Sequence, residues 1–166
     1  MIIVIIPESI IMEFNVLKRF ADFCAPEHCI VTGEYISGDR HKIPLISDKF
    51  LDALPYAQDP DLILNRLVNN FKNDELYISR ADSLLHLSSD NNVIHIIHHI
   101  KYNAKIKLGY EFGKLLGNRL IKNQITGHDM IVPVPVHSIR KRERGYNQAE
   151  IIAKGVSAQM NIPLYP

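Results

Sequence analysis

Residues 129–150, DMIVPVPVHSIRKRERGYNQAE, constrain what this chain can fold into more than any other stretch. Ile131, Val132, Val134 and Val136 form a short β-branched run. Such a run suits a strand covered on both faces, as in parallel α/β sheets. Pro133 and Pro135 each remove a ladder donor, so the strand's end is expected at a sheet edge or leaving the sheet. A basic loop is expected next, with Arg140, Lys141, Arg142 and Arg144 against Glu143. Gly145 permits a backbone turn that other residues resist. Asn147 is a good N-cap, and Glu150 stands three residues later, as in a capping box. Ala149, Ile152, Ala153, Val156 and Met160 then fall on one helical face.

Strand, basic loop and helix start make, in that order, a physical anion site. Guanidinium groups form paired hydrogen bonds to phosphate oxygens. A helix N-terminus adds free N–H groups and the positive end of its dipole, worth about 0.3–1 kcal/mol at an exposed site. Asn147 and Gln148 would add polar contacts there. The same residues also suit a solvated basic loop capping an ordinary βα unit, because charge runs commonly just face water. Both readings stand at this point.

Charge distribution favours the C-terminal half as the part that meets an anion. Residues 1–100 hold 8 Lys and Arg against 14 Asp and Glu, a net −6. Residues 101–166 hold 11 against 4, a net +7. That asymmetry suits a phosphorylated small molecule or a nucleic acid, and does not choose between them. With 46% hydrophobic residues, the 166-residue chain can build one core of ordinary size. The apolar start, MIIVIIPESII, is interrupted by Pro7 and Glu8 and has no basic n-region, so it reads poorly as a signal peptide. No run reaches the roughly 18–20 apolar residues of a membrane span. A cytoplasmic location is expected.

Phe14, Leu17, Lys18, Phe20, Ala21 and Phe23 suggest a short amphipathic helix ended by Pro26. Cys24 and Cys29 alone do not make a zinc site. Leu62, Leu64, Leu67, Val68 and Phe71 suit a short helix or an irregular packed segment. Residues 75–87 alternate well enough for a strand. Asp90, Asn91 and Asn92 mark a turn and a helix start. Val93, Ile96, Ile97 and Ile100 form the apolar stripe of the helix that follows. His95, His98 and His99 lie on it, but no carboxylate or cysteine nearby completes a metal site, so none is expected. Leu108, Phe112, Leu115, Leu116 and Leu120 define a further amphipathic helix, in which Gly113 and Gly117 would permit close packing on the sheet.

Several of these motifs together resemble the ComF family, the competence-protein-F type of phosphoribosyltransferase-like proteins. The resemblance rests on VPVPVHSIRKRERGYNQAEIIAKGVSAQMNIPL, including Arg144-Gly145-Tyr146-Asn147-Gln148-Ala149-Glu150 and Ala153-Lys154. Ile100-Lys101-Tyr102 followed by Lys105 resembles another segment of that family, which makes Lys101 a candidate anion contact. Family members often carry a small zinc-binding element of two Cys-x-x-Cys pairs near the N-terminus. Here Cys29 to Thr32 looks like the first pair with Thr32 in place of its second cysteine, and Ser47 to Pro55 looks like the second with both cysteines gone. No zinc is therefore expected, and Phe50, Leu51 and Leu54 would keep the outline by apolar packing.

The resemblance implies an α/β chain: an incomplete type I phosphoribosyltransferase fold, with a parallel sheet flanked by helices. Residues 1–12 read as an N-terminal extension, 13–56 as a degenerate zinc-ribbon-like element and 57–166 as the phosphoribosyltransferase-like domain. The family's donor is phosphoribosyl pyrophosphate with Mg2+. The resemblance puts its pyrophosphate at Arg140, Lys141, Arg142, Arg144, Gly145, Asn147, Gln148 and Lys101. The family's later acidic pair and Thr- and Gly-rich loop, which hold the phosphoribose, find no match within these 166 residues, so this chain alone is expected to be inactive. The competence link implies a role in DNA uptake or nucleotide metabolism. The alternatives are a non-enzymatic adaptor that binds single-stranded DNA or a competence helicase, and an inactive remnant.

Overall fold

The computed structural model describes residue 24 and residues 26–36, 41–70, 78–87, 91–102 and 105–165. Its fully described helices are α1 (Asp48–Asp52), α2 (Pro60–Asn70), α3 (Asn91–Tyr102), α4 (Ile106–Lys122), α5 (Ser138–Arg144) and α6 (Gln148–Met160). The architecture is mixed but mostly helical. The expected N-terminal extension and the helix around Phe14 to Phe23 lie outside the described residues.

A parallel sheet was expected, and none forms among the described residues. Pairing is confined to three isolated bridges: His28 with Tyr35 and Tyr56 with Leu85, both antiparallel, and Ile131 with Leu164, parallel. The last is made by Ile131 N–H to Pro163 O at 2.9 Å and Tyr165 N–H to Ile131 O at 2.8 Å. Beyond Ile131, Pro133 and Pro135 have no N–H to extend the ladder. Val132 and Val134 consequently stand 63% and 75% exposed instead of covered. The strand expected over 75–87 is likewise absent where it is described: residues 78–87 are irregular and only Leu85 bridges.

The core gathers Ile43, Ile46, Leu51 and Leu54 with Ile96, Ile100, Leu108 and Phe112. The first four come from the turn-rich segment and α1, the others from α3 and α4. Phe50 packs against this cluster, so the expected apolar packing of Phe50, Leu51 and Leu54 is present. Ser47 caps α1 by accepting from Phe50 N–H at 3.3 Å.

A tight turn precedes it, closed by Cys29 N–H to Glu34 O at 2.8 Å and Ile36 N–H to Glu27 O at 2.9 Å. Gly33 takes a positive φ of 70° there. The Cys29 thiol is buried, which resists its ionisation. Hydrogen bonds from the Thr32 side chain and from the backbone of Thr32, Ser47 and Val31 outweigh that and hold it below the ordinary thiol range.

Helices α4 and α6 pack backbone to backbone rather than on a sheet. A Cβ on Gly113 would run into Ile152 O and come within 3.0 Å of Gly155 Cα. One on Gly155 would meet Tyr110 O and come within 2.8 Å of Gly113 Cα. The glycine spacing that suggested close packing on a sheet thus serves a helix partner. The apolar face expected on α6 is present: Ala149, Ile152, Ala153, Val156 and Met160 all line an open apolar groove of 410 Å³ shared with residues 130–134. Ile151 and Gly155, which were not on that face, are buried against α4.

Candidate anion site

The expected basic loop is a helix. His137 caps α5 through Nδ1, which accepts from Ile139 N–H at 3.3 Å. Gly145 ends the helix at φ 80°, with its N–H on Lys141 O at 2.8 Å. Lys141, Arg142 and Arg144 occupy the last turn, where positive charge suits the negative end of the dipole. The residues between Gly145 and the start of α6 form a sharp junction.

The candidate anion contacts separate into two groups. Arg140, Lys141 and Arg142 are exposed, and Arg140 is paired to Glu143 at 2.9 Å on the surface. Arg144, Asn147 and Gln148 turn inward. Asn147 is 9% exposed and does two things. Its Oδ1 accepts from Ala149 N–H at 3.1 Å, capping α6, and its Nδ2 donates to Val134 O at 3.1 Å. The cap expected from sequence is therefore present. The reciprocal half of the capping box is not, because Glu150 turns to Lys154 at 2.8 Å. That ammonium, by hydrogen bond and charge, holds the Glu150 carboxyl below its ordinary range.

Arg144 Nε and Gln148 Nε2 are shut off from solvent and have no hydrogen-bond partner among the described residues. An unsatisfied buried donor costs about 1–3 kcal/mol. Arg144 closes α5 and Gln148 opens α6, so the two donors flank a helix N-terminus, where N–H groups and the dipole favour an anion.

Two tyrosines tie this junction to the end of α3, a role that sequence did not show. The Tyr146 hydroxyl donates to Ile100 O, a carbonyl in the last turn of α3. Burial pushes the Tyr146 phenol above its ordinary range, against the opposing influence of the Arg144 charge. From the other side, Arg144 Nη2–H donates to Tyr102 Oη at 3.2 Å, with its guanidinium carbon 4.9 Å from the Tyr102 ring centre. Lys101, the remaining candidate, is half-buried next to Tyr102 in the last turn of α3. The contact to Arg144 from this end of α3 is made by Tyr102.

The histidines of α3 show no such convergence. His95 and His98 are exposed, and His98 packs on Tyr102 with ring centres 4.7 Å apart. Burial, and then the charges of His98, Lys105 and His95, hold the His99 imidazole below its ordinary range. No cluster of three metal-ligating side chains forms among the described residues. No helix among them is long and apolar enough to cross a membrane. Comparison with family models, curated proteins and solved structures returned no match for this chain.

Proposed function

We propose that this chain is a ComF-type, phosphoribosyltransferase-like protein whose α5–α6 junction binds the pyrophosphate group of phosphoribosyl pyrophosphate. The observation that carries the reading is the two buried, unpartnered donors that flank the α5–α6 junction, Arg144 Nε and Gln148 Nε2. Ile131 and Leu164 pair in parallel across α5 and α6, although this is one isolated bridge and not a sheet.

In this reading Arg144 and the N–H groups at the start of α6 meet the negative charge of the bound pyrophosphate. Asn147 holds the helix start and the Val134 backbone in one arrangement. Arg140, Lys141 and Arg142, all exposed, draw the anion in by charge. Magnesium accompanies the family's donor. The donors gathered at this junction are N–H groups, which suit an anion and not a metal ion, so no residue here is assigned to hold it. Competence-linked DNA handling or nucleotide metabolism is the setting the resemblance suggests.

Pyrophosphate titration followed by protection of the 138–148 segment from proteolysis or hydrogen exchange tests the reading. Protection should saturate in the natural chain and vanish in Arg144→Ala. Equal affinity in that variant would remove the assignment. Salt-sensitive binding of single-stranded DNA with no pyrophosphate binding would favour the adaptor instead. Binding of neither would leave the remnant.

A further inference from the structure

Arg144 differs from its neighbour Arg140 in the kind of partner it has. Arg140 is paired with the carboxylate of Glu143, and half of each side chain faces water. Arg144 has no carboxylate partner among the described residues, and its contacts are the ring and hydroxyl of Tyr102. A carboxylate would fix the guanidinium but would also neutralise it and compete with an incoming anion. An aromatic face and a phenol oxygen fix it while leaving its charge intact.

The support behind Tyr102 is built in the same way. Tyr102 is the last residue of α3. His98, one turn earlier, packs against its ring. The backbone of that turn is held to the junction by the Tyr146 hydroxyl on Ile100 O. An arginine side chain loses much rotamer freedom when it is localised. Here that ordering has already taken place, with one guanidinium edge on Tyr102 and Nε–H shut off from solvent without an acceptor.

We infer that Tyr102 is a positioning residue for the anion site, which holds the Arg144 guanidinium in its binding orientation without discharging it. This rests on the proposed pyrophosphate reading and adds to it a residue on a separate helix.

The test is a double-mutant cycle read by pyrophosphate affinity, with thermal stability measured alongside. Tyr102→Ala should weaken pyrophosphate by about three- to fivefold, from the loss of a surface cation–π contact. Tyr102→Phe keeps the ring and should stay within about twofold of the natural chain. In an Arg144→Ala background, Tyr102→Ala should change affinity no further. A Tyr102→Ala effect that persists in that background, or that Phe does not rescue, would overturn the inference, as would natural affinity in Tyr102→Ala. If the natural chain binds no pyrophosphate, the site assignment itself is lost and the inference with it. If it binds and only the Tyr102 variants are silent, the site stands and the positioning role does not.

Discussion

Arg119 Nε donates to Asp82 Oδ1 at 2.8 Å, and this ion pair locks the irregular segment 78–87 onto α4. The Asp82 side chain is fully shielded from solvent, and its second oxygen accepts from Asn123 Nδ2 at 2.7 Å. Arg119 also reaches Gln58 O, so one arginine joins three stretches of chain. Removing one partner of a buried pair leaves the other uncompensated. Asp82→Ala should therefore destabilise the fold by about 3 kcal/mol, seen as a lower urea midpoint. An unchanged midpoint would mean the pair contributes nothing.

The α4–α6 contact makes a second prediction. Alanine normally improves a helix over glycine by about 1 kcal/mol. At Gly113 or Gly155 the added methyl meets backbone atoms of the other helix, which cannot rotate away. Overpacking should dominate, and either Gly→Ala change should cost about 2 kcal/mol net. A stabilised variant would show that the helices separate freely.

Asn147 combines a cap with a tether, so its loss has two effects. Asn147→Ala should cost about 1–2 kcal/mol of stability, and the loosened start of α6 should bind pyrophosphate more weakly. Asn147→Ser keeps a neutral oxygen for the cap but has no amide N–H to donate to Val134 O. Recovery of stability without recovery of affinity would separate the two roles in calorimetric unfolding and titration.

Alkaline pH should weaken the fold through two partly shielded phenols. Burial raises Tyr146, and it raises Tyr56 with the Asp52 charge adding to the effect. A raised phenol binds its proton more tightly in the folded than in the unfolded state. Its contribution is complete below the unfolded value of about 10 and is lost as pH climbs from there through the folded value. Stability measured from pH 8 to 11 should fall, and Tyr146→Phe together with Tyr56→Phe should flatten the decline. An equally steep decline in the double variant would assign it to other groups.

Helices were largely legible in the sequence, because Val93, Ile96 and Ile100, or Leu108 and Phe112, repeat at the helical period and are buried. The Asn147 cap was legible for a local reason: it depends on residues two positions apart. Charge makes the stretch 138–144 look like a loop, although Arg, Lys and Glu are good helix formers and Gly145 is a helix stop. The β-branched run at 131–136 suggested a sheet, yet pairing depends on partners distant in the chain and on donors that Pro133 and Pro135 do not have. The alliance of Arg144 with Tyr102 could not be read from spacing, since 42 positions separate them.

The glycine contact between α4 and α6 also limits how this chain can change over generations. Most interfaces drift by small exchanges of side-chain size, one partner shrinking as the other grows. Where Gly113 meets Gly155, there is no side chain on either side to trade. The start of α6, and with it the candidate anion site, is carried on a helix whose seat admits almost no gradual revision, while the exposed cations of α5 rest on no such seat.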